Sequence, residues 1–260
     1  MSAPLKNPPV YFTVAQVRFN PILKLTDFLP SIQESFRHAR FADFVKHASM
    51  GIKVNMQDGL PTPTPHQQDR YAFGNAAKTH SFLLDEYSLT FQSTDYAHFE
   101  SFSEEFLKCL ERFHGIVQLD FIERVGLRYL DRVAPLAEDA LARYLVPEAL
   151  GLSTRLPGTA AHSFCETLTE VRPVKLLSRV VTQTGPVAFP PDLLPIGLEI
   201  AKRFQQQQGP HAILDNDGFF DGRESYSVDT VRKHLHTIHE VIRKAFRAIT
   251  TDYAFKMWDQ

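Results

Sequence analysis

The stretch R-V-G-L-R-Y at positions 124–129 lies inside an extended run covering 121–133, and V-A-Q-V-R-F at 14–19 reads as a variant of it. Each places an aliphatic-Arg-aromatic triplet near the end of a β-like run, and each run is followed by a helix-like segment. Two such units predict an internally duplicated fold. Residues 10–19 are apolar on both parities and β-branched or aromatic, which suits a central strand covered on both faces.

Outward from the first run, Asp27 opens a helix carrying Phe28, Ile32 and Phe36, with Pro30 tolerated in its first turn. Ile52, Val54 and Met56 alternate with Lys53 and Asn55, as in a half-buried strand. The Pro-rich stretch D-G-L-P-T-P-T-P-H-Q-Q-D at 58–69 reads as a loop. Strands are expected over 70–75, 79–84 and 86–93. Asp95 is the expected N-cap of a long helix striped by Phe99, Phe102, Phe106, Leu110 and Phe113.

The second run repeats the order. A strand over 121–133 is followed by a shorter helix over 136–145 and strands over 161–171, 174–183 and 211–219. A closing helix then brings Val228, Val231, Leu235, Ile238, Ile242, Phe246 and Ile249 to one face. Residues 185–210 have no counterpart in the first half. They contain P-P-D-L-L-P, a short helical stretch near 198–204 and a Gln run at 205–208, and they read as an exposed, mobile connection.

Striped helices need a sheet to cover. The expectation is one α+β unit over 1–260, built from pseudo-repeats of about 8–117 and about 119–250 that share a curved antiparallel sheet with the helices on one face. The element order resembles a tandem of the TATA-binding-protein-like fold, which includes lipid-transfer helix-grip relatives. That likeness concerns order alone, since fold does not carry function.

Bulk properties narrow the function classes. A net charge of −2 and a pI near 6.6 give no footprint for non-specific nucleic-acid binding. No apolar run approaches the roughly 18 residues of a membrane-spanning helix. Residues 1–9 are Pro-rich and lack the apolar core of a secretory signal, so the expected address is the cytoplasm. Cys109 and Cys165 form no CxxC pair, which signals neither a disulfide framework nor a zinc site, and the expectation is two reduced thiols packed as small hydrophobes. With 21 Phe and one Trp, Trp258, the chain is equipped for a thick aromatic core.

Strand parity locates the candidate site. Phe121, Val125, Leu127, Tyr129 and Val133 form the apolar set of their strand, which leaves Arg124, Gly126, Arg128 and Arg132 on the opposite face. By the same alternation Arg18 shares that face with Gln16, Val14 and Phe12. Two readings follow. The arginines form a groove for a carboxylate or phosphate, or they pair with acids on neighbouring strands.

The nearest acids are Asp215 and Asp217, two apart on one face of H-A-I-L-D-N-D-G-F-F-D-G-R-E. Such a pair can also bind a divalent cation or perform acid-base chemistry, although Phe219 breaks the spacing of an EF-hand loop. Asp221 and Glu224 are expected in a turn approaching the last helix. His234, His236 and His239 lie on that helix without an H-E-x-x-H pattern, and His239 is expected to pack and hydrogen-bond rather than ligate. No G-x-S-x-G, P-loop or G-x-G-x-x-G occurs, so an enzyme of a motif-bearing class is disfavoured.

N-P-P-V leading to Arg18-Phe19, R-V-G-L-R-Y-L-D, L-D-N-D at 214–217, the L-H of the last helix and F-R-A-I-T at 246–250 together resemble a sporadically distributed bacterial family of unassigned function. The resemblance spans the chain, and R-V-G-L-R-Y is its most specific element. It implies cargo of mobile elements, such as a sensor or accessory component of stress, phage-defence or toxin-antitoxin loci, and it transfers no catalytic residue. Asn216, where the family has an apolar residue, and the 185–210 insertion depart from its pattern.

The sequence therefore predicts a non-enzymatic binding protein with neither cofactor nor metal. Arg18, Arg124, Arg128, Asp215 and Asp217 are its binding residues. Its sheet face is polar or basic around Lys53, Thr90, Arg124 and Arg128 and more apolar near Phe12 and Val14. It would take an anionic or amphipathic ligand, or a protein partner. The alternative is a metal-dependent hydrolase or nuclease-like enzyme using Asp215 and Asp217.

Overall fold

A computed structural model describes the chain except at 1–4, 58, 59, 137, 138 and 194, and describes 49–68 in backbone only. Its centre is one nine-stranded sheet. The strands are β1 (Val10–Phe19), β2 (Asp43–Gln57), β3 (Leu60–Gly74), β4 (His80–Leu84), β5 (Ser88–Ser93), β6 (Phe121–Val133), β7 (Ser163–Val171), β8 (Val174–Thr184) and β9 (Pro210–Ser225). They lie in the order β2-β3-β4-β5-β1-β6-β9-β8-β7, and every neighbouring pair is antiparallel. The chain is thus α+β, and residues 14–19 and 124–129 lie on adjacent central strands.

Three long helices cover one face: α1 (Leu25–His38), α2 (Phe99–Val117) and α5 (Val228–Ile249), with α2 touching both of the others. Their apolar stripes decide this. Ile32 and Phe36 of α1, all five expected residues of α2 and Val231, Leu235, Ile238 and Ile242 of α5 are buried. Ala15, Val17 and Phe19 of β1 and Val125, Leu127 and Tyr129 of β6 meet them from the sheet. Phe82, Phe91, Phe102 and Phe106 stack or tilt against one another in this layer, which is the aromatic core anticipated from composition. Cys109 is buried in α2, and no disulfide forms. No helix among the described residues is long and apolar enough to cross a membrane.

The other face corrects the reading of 185–210. That segment packs across β1, β6 and β9 as a strap, with Val187, Phe189, Leu193, Leu198 and Ile200 set against Tyr11, Phe12, Val14, Leu130 and Ile213. Phe189 meets the edges of Tyr11 and Phe12 at ring separations of 5.5 and 5.2 Å. Polar ties fix its backbone. Tyr11 Oη donates to the Ala188 carbonyl at 2.7 Å, Thr94 Oγ1 to the Glu199 carbonyl at 2.7 Å, and Arg203 to the Pro8 carbonyl at 3.0 Å. Its helical part is one short turn, α4 (Lys202–Gln205). Gln207, within the Gln run, accepts from Arg132. The apolar residues spaced between the prolines are what bind the strap down; composition alone had suggested mobility.

Local expectations changed elsewhere. The 58–69 stretch is largely the start of β3, which pairs with β2 from Gln57↔Leu60 to Asp43↔Gly74. Pro61, Pro63 and Pro65 are tolerated because β4 pairs only with Tyr71 to Gly74, so their missing N–H groups can face an unpaired edge. The helix expected over 136–145 lies partly outside the described residues, at 137 and 138, and the described ones among them form no α-helix. The described part is a 3-10 turn at Leu141–Arg143, followed by α3 (Pro147–Leu150), whose Pro occupies the first helical position.

The N-cap of α2 is His98, whose Nδ1 accepts from the Ser101 N–H at 3.2 Å, and not Asp95. α1 starts at Leu25, which puts Pro30 in its second turn. Asp221 and Glu224 belong to β9, which runs to Ser225. The last helix, α6 (Asp252–Trp258), carries Trp258 against a second cluster with Val133, Tyr144, Leu145, Val180 and Leu214.

One contact sets how closely α5 approaches. A Cβ built on Gly218 would lie 2.7 Å from Ile238 Cγ2 and 3.1 Å from Ile242 Cδ1. Gly218→Ala should therefore cost about 1–3 kcal/mol through overpacking, measured by urea denaturation. Ile238→Ala removes that Cγ2, so its cost should be smaller in the Gly218→Ala background than in the wild type.

Candidate binding cavity between the sheet and the strap

Alternation along β6 and β9 brings Arg124, Arg128, Asp215 and Asp217 to the face away from the long helices, as expected from sequence. What alternation could not supply is their pairing. In register, Arg128 faces Asp217 and Arg124 faces Asp221 on β9, whereas Val14 and Arg18 of β1 face Arg128 and Arg124.

Arg128 is a structural residue. Its Nε donates to Asp215 Oδ1 and its Nη2 to Asp215 Oδ2, both at 2.7 Å, which is the bidentate arrangement of a strong pair. Its Nη1 donates to Asp192 Oδ2 of the strap at 2.7 Å. Arg179 on β8 adds a bond to Asp215 Oδ2 at 3.1 Å and another to Glu166 of β7 at 2.7 Å. Asp215, with 1% of its side chain exposed, is thus enclosed by two guanidinium groups. The Arg128 bond is the first cause holding the Asp192 carboxyl below its ordinary range.

Arg132 is also committed, to Gln207 and to His211 Nδ1 at 3.3 Å. The pairing reading of the arginine stripe therefore holds for Arg128, whereas Arg132 bonds to Gln207 and His211 and to no acid among the described residues, and its buried Nε has no hydrogen-bond partner.

Arg124 differs. Its nearest carboxylate oxygen, on Asp217, is 3.8 Å away, beyond hydrogen-bond length. Its guanidinium lies 3.9 Å from the Phe219 ring centroid, and its buried Nε has no hydrogen-bond partner. A Cβ built on Gly126 would lie 3.8 Å from that Nε, in ordinary van der Waals contact. Burial lifts the Asp217 carboxyl above the ordinary carboxylate range, against the pull of Arg128 and Arg124. Arg18 is exposed at the end of β1, and its side chain makes no hydrogen bond or ion pair among the described residues. Lys53 lies outside the residues whose side chains are described.

Arg124, Gly126, Arg128 and Asp217 line a cavity of about 550 Å³ between sheet and strap, and Arg18 and Asp215 do not. Gln16, Ser88, Thr90 and Gln92 supply uncharged polar groups, Val14 and Leu83 an apolar floor, and Asp192, Leu193 and Ile196 the strap's wall. Gln16 donates to Thr90 Oγ1 at 2.9 Å, and Gln92 Oε1 accepts from the Ile196 N–H at 3.3 Å. Arg70 also lines it, 3.8 Å from Asp85. Asp192, Arg179 and Arg70 were not anticipated as site residues. An acid inside P-P-D-L-L-P and an arginine inside the apolar run of β8 were the available signals, because charge in such settings requires a partner.

The Asp215 and Asp217 pair does not resemble a metal centre. Arginine donors occupy both oxygens of Asp215, and no group of three or more His, Cys, Asp or Glu side chains among the described residues is placed to hold a metal ion. On the helix side His239 packs as expected, stacked on Phe99 at 4.1 Å with Nδ1 3.2 Å from Tyr129 Oη, which itself lies 3.2 Å from Tyr96 Oη. Burial holds the His239 imidazole down to about 4. No protein-family model matches the chain, and no curated protein matches it.

Two measurements test this electrostatic account. Arg128→Met leaves Asp215 buried with Arg179 as its remaining partner and should cost about 3–5 kcal/mol, whereas Arg128→Met with Asp215→Leu should recover much of it. Urea denaturation of the two variants separates a compensated charge from a simple packing loss. Asp131, in β6, has its carboxyl pushed up to about 8, by burial first and by the Asp215 charge second. A raised carboxyl favours the protonated folded state, so the contribution of Asp131 to stability is fully present below the ordinary value of 3.8 and is lost as pH rises towards about 8. Asp131→Asn should flatten that slope and raise the melting temperature at neutral pH, followed by thermal unfolding from pH 5 to 9.

Proposed function

We propose that this chain is a non-enzymatic binding protein that holds a small molecule with an anionic group in the cavity between sheet and strap. Arg124 carries the reading. A guanidinium with a buried, unpartnered Nε is costly to maintain, and a carboxylate or phosphate oxygen in the cavity would satisfy it. The cavity volume lies within the range of about 300–1,000 Å³ typical of small-molecule sites. Val14, Leu83, Leu193 and Ile196 suit an apolar body on the ligand, and Gln16, Ser88, Thr90 and Gln92 can orient its polar atoms.

The same proposal includes the duplication. Outward from the central pair, the strands run β1, β5, β4, β3, β2 on one side and β6, β9, β8, β7 on the other. This order supports two related halves in the manner of the TATA-binding-protein-like arrangement, with one strand more in the first. The cavity then sits beside their junction, and the strap is an element of the second half alone.

A thermal-shift panel of organic acids and phosphate esters tests the reading. At least one should stabilise the wild type, and Arg124→Gln should weaken that ligand by roughly 10- to 100-fold, the effect of one charge-assisted hydrogen bond, with little change in the ligand-free melting temperature. Stabilisation that persisted undiminished in Arg124→Gln would end the proposal.

A further inference from the structure

Arg18 and Arg124 are direct cross-strand neighbours on β1 and β6, and like charges so placed repel. On the same face Arg128 and Arg179 are neutralised by acids within hydrogen-bond distance; these two are not. Arg18 has no ion pair among the described residues, and Arg124 reaches Asp217 only at 3.8 Å. Both line a second cavity, of about 330 Å³, with Glu123, Asp221, Gly222 and Arg223. Of the acids there, Glu123 binds Arg223 at 2.6 Å, and Asp221, although it faces Arg124 across the β6–β9 pairing, forms its ion pair with Lys175 at 4.0 Å. Arg124 also lines the 550 Å³ cavity, so the two spaces share a wall made of one guanidinium.

We infer that the ligand's anionic group is a phosphomonoester seated between Arg18 and Arg124, with the rest of the molecule directed into the larger cavity. The inference rests on the binding role proposed for that cavity and adds the class of its anchor. A dianionic phosphate matches the two positive charges and offers three terminal oxygens, enough to accept from Arg18 and from the unpartnered Nε of Arg124 together. A carboxylate carries half that charge and two acceptors. Arg18, the peripheral member, would draw the phosphate from solvent, and Arg124 would orient it.

The experiment is calorimetric titration of the full chain with inorganic phosphate, phenyl phosphate and benzoate. Wild type, Arg18→Gln, Arg124→Gln and a distant control, Arg37→Gln on α1, are compared. Phenyl phosphate should bind at least tenfold more tightly than benzoate and more tightly than inorganic phosphate. Arg18→Gln and Arg124→Gln should each weaken it tenfold or more, and Arg37→Gln should leave it unchanged. Unchanged phenyl phosphate affinity in Arg18→Gln, or benzoate binding as tightly as phenyl phosphate, overturns this inference while leaving the cavity's binding role intact. Unchanged affinity for every anion in Arg124→Gln overturns both.

Discussion

A carboxylate with almost no exposure, Asp215, lies on the sheet face opposite the long helices, and the arrangement on that face follows from its need for cations. Arg128 supplies two hydrogen bonds from β6, and Arg179 supplies one from β8. The acid therefore ties together the three strands β6, β9 and β8. A one-residue slip in either pairing would turn the partner arginine to the other face and leave a charge buried alone, so the ion cluster and the apolar alternation specify the same register. Glu166 extends the cluster to β7, and Asp192 extends it to the strap.

The two faces then solve different problems. On the helix side, apolar side chains interdigitate, and Gly218 permits α5 to approach closely enough that no side chain would fit between. On the strap side, arginines and polar side chains cannot be covered by an apolar segment without losing their partners. The strap accordingly packs where Phe12, Val14 and Leu130 are apolar, and it stands off over Gln16, Thr90, Arg124 and Asp217. The cavity is the consequence of that boundary.

Much of this was legible because alternation and helical periodicity are dictated by burial. The central strands, the three striped helices and the face assigned to Arg18, Arg124, Arg128, Asp215 and Asp217 all follow from it. Periodicity does not specify which acid meets which arginine, since that depends on strand order across the sheet. Arg124 and Arg128 are equivalent by parity, yet one has its carboxylates at 2.7 Å and the other has its nearest at 3.8 Å. The strap was misread for a related reason. Pro, Gly and Gln mark a segment without regular hydrogen bonding, but they do not tell whether its apolar residues find a surface. The Pro-rich start of β3 escaped notice because proline excludes a strand only where both edges are paired.

The distinction between Arg124 and Arg128 also determines how the cavity can respond to an occupant. Asp215 and its arginines are buried and mutually satisfied, so an added anion gains little by competing there. Asp192 is different: its side chain is 61% exposed, and its bond to Arg128 is exchangeable with water. The sheet wall of the cavity is thus held by buried hydrogen-bonded charge, whereas the strap wall near Asp192 is held by a half-wet pair and by Leu193 and Ile196. An occupant anchored at Arg124 would meet a rigid floor and an adjustable roof. Any conformational adjustment to binding should therefore be borne by the strap, with the strand register left unchanged.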